Sequence, residues 1–406
     1  MALHIGHELF THSGLPRYSN SYFHFTYPFF GWIHPLAESL VNPFLWVAML
    51  SAIMISIGLF YRVSTALYFL VYTYLFLIDV SYYNNHYYLI ALVSGVMVFL
   101  NLANAFSLDS LIFRSRGATP VWHRHFLAFH IILVYFFGGV SKLLNPQWIT
   151  GDAMHEMLVS RLASLGLDLT SHALTTVAQV MTIGGTLFDL SIGIFLFWKR
   201  TFWLAVVGVV AFNLINAYTF NIGVFPFIML GSLVLFYSFS AEKSTNSGVA
   251  PSIFVRGLIG AYAMVLILTP IRHLFISGDS FWTSEGYLFS WNMKPGTKSV
   301  DAIYLIRDQA TGLKYTVDPH EYLTPPAYLA LGKYPLVAPQ FAHFLSRKAS
   351  LWNIQNPEIT AIIKVSRNRG PYYSVIDPNI NLIDLSYHPL QRNAWIVEDP
   401  EAYDVK

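Results

Sequence analysis

Apolar residues run along this chain in stretches long enough to cross about 30 Å of hydrocarbon, at 43–61, 65–80, 87–105, 126–144, 180–198, 202–219, 222–239 and 253–271. The eight stretches predict a mainly α, polytopic transmembrane helix bundle. The connections between them alternate in charge. Those after the first, third, fifth and seventh stretches carry Arg62; Arg114, Arg116 and Arg124; Lys199 and Arg200; and Lys243, with Arg256 at the next helix entrance. The intervening connections carry only Lys142 and Arg161. By the positive-inside rule the basic set faces the cytoplasm. Residues 77–95, the loop after Lys142 and the tail beyond Ile276 then lie on the opposite, extracytoplasmic side.

The pattern changes at both ends. Residues 1–42 would lie outside the cytoplasm but hold neither a span nor a signal peptide, so an upstream helix is expected to be missing. Within them, "SYFHFTYPFFGWIHPL" (Ser21–Leu36) reads as a segment lying at the membrane interface or as a packed loop. From Ser277 the chain turns polar, with frequent Pro and Gly. "VDAIYLIRDQATGLKYTVDP" predicts strand, Thr-Gly turn, strand, and "EITAIIKVSRNRGPYYSVIDP" repeats this with a turn at Arg369-Gly370. "LVAPQFAHFLSRKASLW" between them has helical spacing. A tail of this length can bury its own core. The expected organisation is an interfacial segment at 1–42, a transmembrane domain at 43–276 and a small α+β extramembrane domain at 277–406.

Composition agrees with a membrane chain, because 55% of residues are hydrophobic against 11% charged and the mean hydropathy is +0.48. The absence of cysteine excludes disulfides, thiolate catalysis and Cys-ligated metal. A net charge of +2 gives no nucleic-acid footprint.

Polar groups inside this apolar frame are the candidate chemistry, since an ionisable group at membrane depth is costly. Asn84, Asn85 and His86 stand side by side in "LIDVSYYNNHYYLIALVSG". His86 reads either as a wetted helix-entry residue or as a site group. Lys142, in "VYFFGGVSKLLNPQW", follows Gly138-Gly139, where a backbone or ligand can approach closely. It reads either as a lysine snorkelling to the interface or as a desolvated amine able to act as a base. Asp189, Asn213 and Asn216 read as inter-helix hydrogen-bonding groups or as site lining. The histidines of "WHRHFLAFH" and "HIGHELFTH" lack the repeated boxes of a membrane di-iron centre, and no metal is expected.

"YYNNHYYL", "VYFFGGVSKL", "FDLSIGIFLF", "FNLINAYTFNIGVFPFIML", "FWTSEGYLFSWNM" and "VIDPNINLIDL" occur in this order, and together resemble the vitamin K-dependent γ-carboxylase family, with its HTTM-type membrane domain, from about residue 21 to about 397. The resemblance implies an integral membrane oxygenase (epoxidase) that uses vitamin K hydroquinone, or menaquinol, with O2 and CO2 as co-substrates. It couples this oxidation to γ-carboxylation of glutamate in a peptide or protein. It makes Lys142 the base, with His86 and Asn85 in support, and assigns Tyr287, Trp291, Asn84 and Asn216 to the quinone. Lys298 aligns with an arginine that follows the "SWNM" block in the animal enzymes and is assigned to the acceptor; Gly296 aligns with a histidine there. Tyr83 replaces a tryptophan and Asn213 a histidine. The animal enzymes continue further and carry a disulfide that this chain lacks, which implies a bacterial homologue in the inner membrane. The alternative is a non-catalytic quinone- or lipid-binding protein that retains the carboxylase fold.

Overall fold

The computed structural model describes residues 2–11, 13–104, 106–113, 119–167, 172–220, 222–241, 251–294 and 296–400. Arg114, Arg116 and Lys243, three of the cations used to orient the chain, lie outside the described residues.

The fold is mainly helical, with a small sheet near the C-terminus. Helix α1 (Ala2–Phe10) is followed by α2 (Glu38–Ile57), α3 (Tyr61–Leu77), α4 (Asn85–Phe99), α5 (Val121–Leu144), α6 (Asp152–Ser164), α7 (His172–Phe197), α8 (Phe202–Thr219), α9 (Phe225–Ser232), α10 (Val234–Ala241) and α11 (Ile253–Ile271). Five helices among the described residues are long and apolar enough to cross a membrane: Glu38–Ile57, Val121–Leu144, His172–Phe197, Phe202–Thr219 and Ile253–Phe275. The remaining three expected stretches form shorter helices. Tyr61–Leu77 has 17 residues and Asn85–Phe99 has 15. The stretch at 222–239 is divided into α9 and α10, bridged at Leu233 by i→i+3 backbone bonds that carry the chain onward.

Helix ends depart from the apolar stretches where polar groups take over. The stretch expected at 87–105 stops as helix at Phe99, after which Asn101 N–H donates to His123 Nδ1 and Asn104 Nδ2 to Thr119 Oγ1. The stretch expected from 180 starts eight residues earlier, at His172, because Thr175, Thr176 and Gln179 continue the helix although they break the apolar run.

The C-terminal sheet follows the expected hairpins. Strands β1 (Lys298–Asp308), β2 (Lys314–Val317), β3 (Pro357–Arg367) and β4 (Tyr372–Ser374) pair antiparallel in the order β2-β1-β3-β4. β1 and β3 pair along their whole length, from Lys298 opposite Arg367 to Asp308 opposite Pro357. Alternate side chains point to one face, so Ala302, Tyr304, Ile306, Ile359, Ala361, Ile363 and Val365 are buried. Helices α12 (Pro325–Lys333) and α13 (Ala338–Ala349) add Ala327, Leu331, Phe341, Ala342 and Leu345 to the same core.

Residues 21–36 are a packed loop wedged between the bundle and this domain. Phe25 and Tyr27 are buried, Phe23 packs edge-on to Phe341, and Thr26 exchanges backbone hydrogen bonds with the Gln340 amide. Phe29 and Trp32 at its tip are exposed. The loop thus joins the two main parts through one continuous apolar core.

Candidate active site

Helix α5 carries Lys142 two residues before its end, and α7 carries Asp189 in its middle. The helices meet closely because Gly139 faces Leu190, where a Cβ would fall 2.8 Å from the leucine side chain. That approach brings Lys142 Nζ to 2.7 Å from Asp189 Oδ2, with both side chains buried. The lysine does not snorkel. It differs as well from the lone desolvated amine of the sequence reading, because burying two opposite charges together is less costly than burying either alone.

The space around the pair is bounded by small or flat groups. Cβ atoms added at Gly138 and Gly185 would lie 3.6 Å from Asp189 Oδ2 and Lys142 Nζ respectively. Lys142 Nζ also stands 5.3 Å from the Trp148 ring centre and 5.9 Å from that of Phe212, close enough for cation–π attraction. Three buried polar atoms on α7, on α8 and on the short turn of helix after α5 lack partners among the described residues: Thr182 Oγ1, Asn213 Oδ1 and Trp148 Nε1. Asn213 Nδ2 is used, donating to Tyr135 Oη at 3.1 Å and Val209 O at 2.9 Å.

The Asn-Asn-His motif opens α4. Asn84 is the N-cap, its Oδ1 accepting from His86 N–H at 2.9 Å, and its side chain is otherwise exposed. Asn85 points inward: its Oδ1 accepts from Tyr83 Oη at 2.8 Å and its Nδ2 donates to Asn292 O at 3.0 Å. His86 stacks on Phe225 with ring centres 4.2 Å apart, and its Nδ1 is buried without a partner among the described residues.

Residues 287–293 connect the two motifs. Asn292 O receives Asn85 and, at 3.5 Å, Tyr287 Oη; the next residue, Met293, donates its N–H to Ser141 Oγ at 2.8 Å, beside Lys142. Phe289 N–H donates to Tyr83 Oη at 2.7 Å. Phe289 and Trp291 take φ of 63° and 56°, a region that costs bulky L residues energy and that clusters at functional sites. Arg272 fixes this strained turn by donating to Leu288 O and Ser290 Oγ. Trp291 is buried 4.8 Å from Tyr88, and among the described residues Asn292 Nδ2 is another buried donor without a partner.

Of the residues selected from sequence, Asn85 and Tyr287 meet at Asn292 O and connect through Met293 to Ser141, beside Lys142, whereas His86 packs on Phe225 and Trp291 on Tyr88 at the flanks of this path. Asn216 lies one turn beyond Asn213, half-buried, and its side chain makes no hydrogen bond among the described residues. Lys298 lies beyond the centre, at the start of β1, donating to Trp282 O at 3.2 Å. Asp189, read from sequence as an inter-helix group or site lining, pairs with Lys142, and two further contributors, Ser141 and Asn292, were not singled out. Asp189 had a legible signal, since it is the one acid in an apolar helix and the helix before it in the bundle carries one lysine. Ser141 acts through its hydroxyl, which accepts from Met293 N–H, and Asn292 through its backbone carbonyl, and neither had one.

Residues 1–240 match the family model of the HTTM domain, and residues 252–402 match that of the vitamin K-dependent gamma-carboxylase lumenal domain. No solved structure matches the chain.

Proposed function

Because the chain belongs to the vitamin K-dependent γ-carboxylase family, we propose that it is a membrane enzyme that oxygenates vitamin K hydroquinone or menaquinol, using O2, and couples this to addition of CO2 to a glutamate side chain. The observation that carries this reading is the continuous path Asn85–Asn292–Met293–Ser141, which ends beside the buried Lys142–Asp189 pair. We assign the C-terminal domain and this centre to the extracytoplasmic face, in a bacterial inner membrane.

The residues present fit a hydroquinone. Among the described residues His86 Nδ1 and Asn292 Nδ2 are buried polar atoms that lack partners, and Phe225, Tyr88 and Trp291 supply flat apolar walls for a ring system. When bound, the hydroquinone supplies an ionisable hydroxyl and the reducing equivalents for reaction with O2. The chain supplies the rest. At 2.7 Å the shared proton can sit on Lys142 Nζ or Asp189 Oδ2. With it on the carboxylate, Nζ is a free amine that accepts a second proton. Asp189 therefore acts with Lys142 as one base, and the pair gains a single positive charge. Asn292 and His86 offer hydrogen bonds to negative charge formed as that proton leaves. The packed aromatic residues keep water away.

The ion pair itself favours a second reading, in which Lys142–Asp189 only staples α5 to α7 in a quinone- or lipid-binding protein. Purified protein given reduced vitamin K, labelled hydrogencarbonate and a glutamate-containing peptide separates the two. Epoxide and labelled peptide are expected together. Quinol binding with neither product would establish the binding-only reading.

A further inference from the structure

The loop at 21–36 carries a buried histidine that none of the chemistry above uses. His24 stands with Nδ1 3.0 Å from Asp79 Oδ2 and Nε2 2.7 Å from Ser19 O, and both side chains are only 2% exposed. A carbonyl and a carboxylate are both acceptors, so each ring nitrogen of His24 faces an acceptor. Two protons are needed to fill the two bonds: one on Nε2, donated to Ser19 O, and one held between Nδ1 and Asp79 Oδ2. With only the first, the Nδ1 lone pair would face a buried carboxylate that has no other ionic partner among the described residues, a costly arrangement.

The charges nearby are already engaged. Arg17 donates to Glu8 Oε1 at 2.5 Å, and Glu8 Oε2 accepts from Tyr18 Oη at 3.0 Å. Glu38, at the start of α2, accepts from Ser21 Oγ at 3.0 Å. Tyr82 stands on the Asp79 side with the Arg17 guanidinium 4.9 Å over its ring, and Tyr27 packs on Phe76 of α3. The outer domain meets the loop with Phe341, Phe344 and Gln340.

What the pair holds is the entrance to the Asn-Asn-His motif. Asp79 uses its other oxygen, Oδ1, to accept from Ser81 N–H at 2.8 Å, which caps the 3₁₀ turn Val80–Tyr82. Val80 N–H donates to Phe25 O, next to His24, at 2.9 Å, and Tyr83 N–H closes the turn on Val80 O at 2.9 Å. Tyr83 Oη then donates to Asn85 Oδ1 and accepts from Phe289 N–H. Tyr27, three residues after His24, packs on both Tyr83 and Phe289, with ring centres 6.2 and 5.8 Å apart. The strained turn that leads to Ser141 and Lys142 is thus tied to His24 by two routes, one of hydrogen bonds and one of packed rings.

We propose that His24 and Asp79 form a positioning pair, locked by one shared proton, that sets the Asn-Asn-His motif against the 287–293 turn. The inference rests on the proposed function only for what the positioned groups do. Neither residue reaches those groups directly, and both act through Tyr83 and Tyr27.

Hydrogen exchange of the full chain in detergent, read by mass spectrometry at one pH and without quinol or acceptor, tests this. His24→Ala should speed exchange of the Val80, Tyr83 and Phe289 amides by about tenfold, the effect of losing a hydrogen bond to a charged group, while the amides of β3 keep their protection. Equal acceleration in β3 would show general destabilisation and overturn the proposal, as would an unchanged Phe289 amide. Tyr83→Phe keeps the ring and removes the hydroxyl, so it should release the Phe289 amide and leave Val80 protected; a Phe289 amide still protected would break the hydrogen-bonded route. The shared proton is tested at Asp79. Asp79→Asn keeps an oxygen for Ser81 N–H and offers an N–H to the Nδ1 of a neutral His24, so it should preserve protection at Phe289, whereas Asp79→Ala should lose it. Loss with both variants would overturn the shared-proton assignment. No turnover is involved, so coupled exchange in a protein that fails to oxidise quinol would count against the proposed reaction alone.

Discussion

Two buried ion pairs in this molecule are built in opposite ways. Glu285 accepts from Arg392 at 2.6 Å, from Asn393 N–H at 2.7 Å and from Asn393 Nδ2 at 2.9 Å, so both its oxygens are filled. Arg392 donates further to Asn393 O and Ile396 O. Lys142 and Asp189 share a single side-chain hydrogen bond among the described residues, and unpartnered Trp148 Nε1, Thr182 Oγ1 and Asn213 Oδ1 lie on the helices around them. A saturated pair can only hold structure; it pins residues 388–396 to the turn after Trp282. A pair with capacity left over can exchange a proton and receive a ligand. Burial alone does not distinguish them, because all four side chains are largely out of water.

The widest separation should come from Lys142→Met, which keeps the apolar stem and removes the amine. Loss of a positioned base typically costs about 10²–10⁴ in rate, and quinol oxidation should fall by that factor while quinone binding, followed by fluorescence quenching, persists. Unchanged oxidation would reduce the pair to a staple. Glu285→Gln should do the reverse. It leaves Arg392 a buried charge without its partner, which costs about 3–5 kcal/mol, so thermal unfolding should shift strongly downward while turnover per folded molecule holds. A rate loss without destabilisation would erase the contrast between the two pairs.

Smaller effects sharpen the active-site side. His86→Ala removes a donor and Asn85→Ala releases Asn292, which carries another, and loss of one donor to developing charge costs about 10²–10³ in rate. Both should lower the oxidation rate more than they weaken quinone affinity. Added primary amines should partly restore Lys142→Ala but not His86→Ala, since only the former lacks the base. Rescue of both would show that His86 also serves as a base.

Much of this arrangement was legible in the residues, and what was missed has a physical cause. Long apolar runs located the helices, because crossing hydrocarbon demands them, and period-two alternation located β1 and β3. The helix starts were less visible: His172 begins α7 inside a polar run that composition alone excludes from a span. Lys142 and Asn85 stood out as polar groups in apolar surroundings. Their connection did not, since Asn292 O and Met293 N–H are backbone groups whose direction comes from the left-handed turn at Phe289 and Trp291.

The smallest effect should fall on Asn84, which sequence placed with the quinone and which the structure makes the cap of α4. Its Oδ1 receives the His86 N–H, satisfying one of the donors that every helix start leaves open. Asn84→Ala should therefore cost about 1 kcal/mol of stability, with a small loss of rate through looser positioning of His86. The conservative variant decides between the roles. Asn84→Ser supplies another capping oxygen but not the amide, so it should restore both stability and rate if capping is the whole contribution. Restored stability with the rate still depressed would show instead that the Asn84 amide itself reaches the quinone, and would extend the polar centre to the exposed edge of the helix.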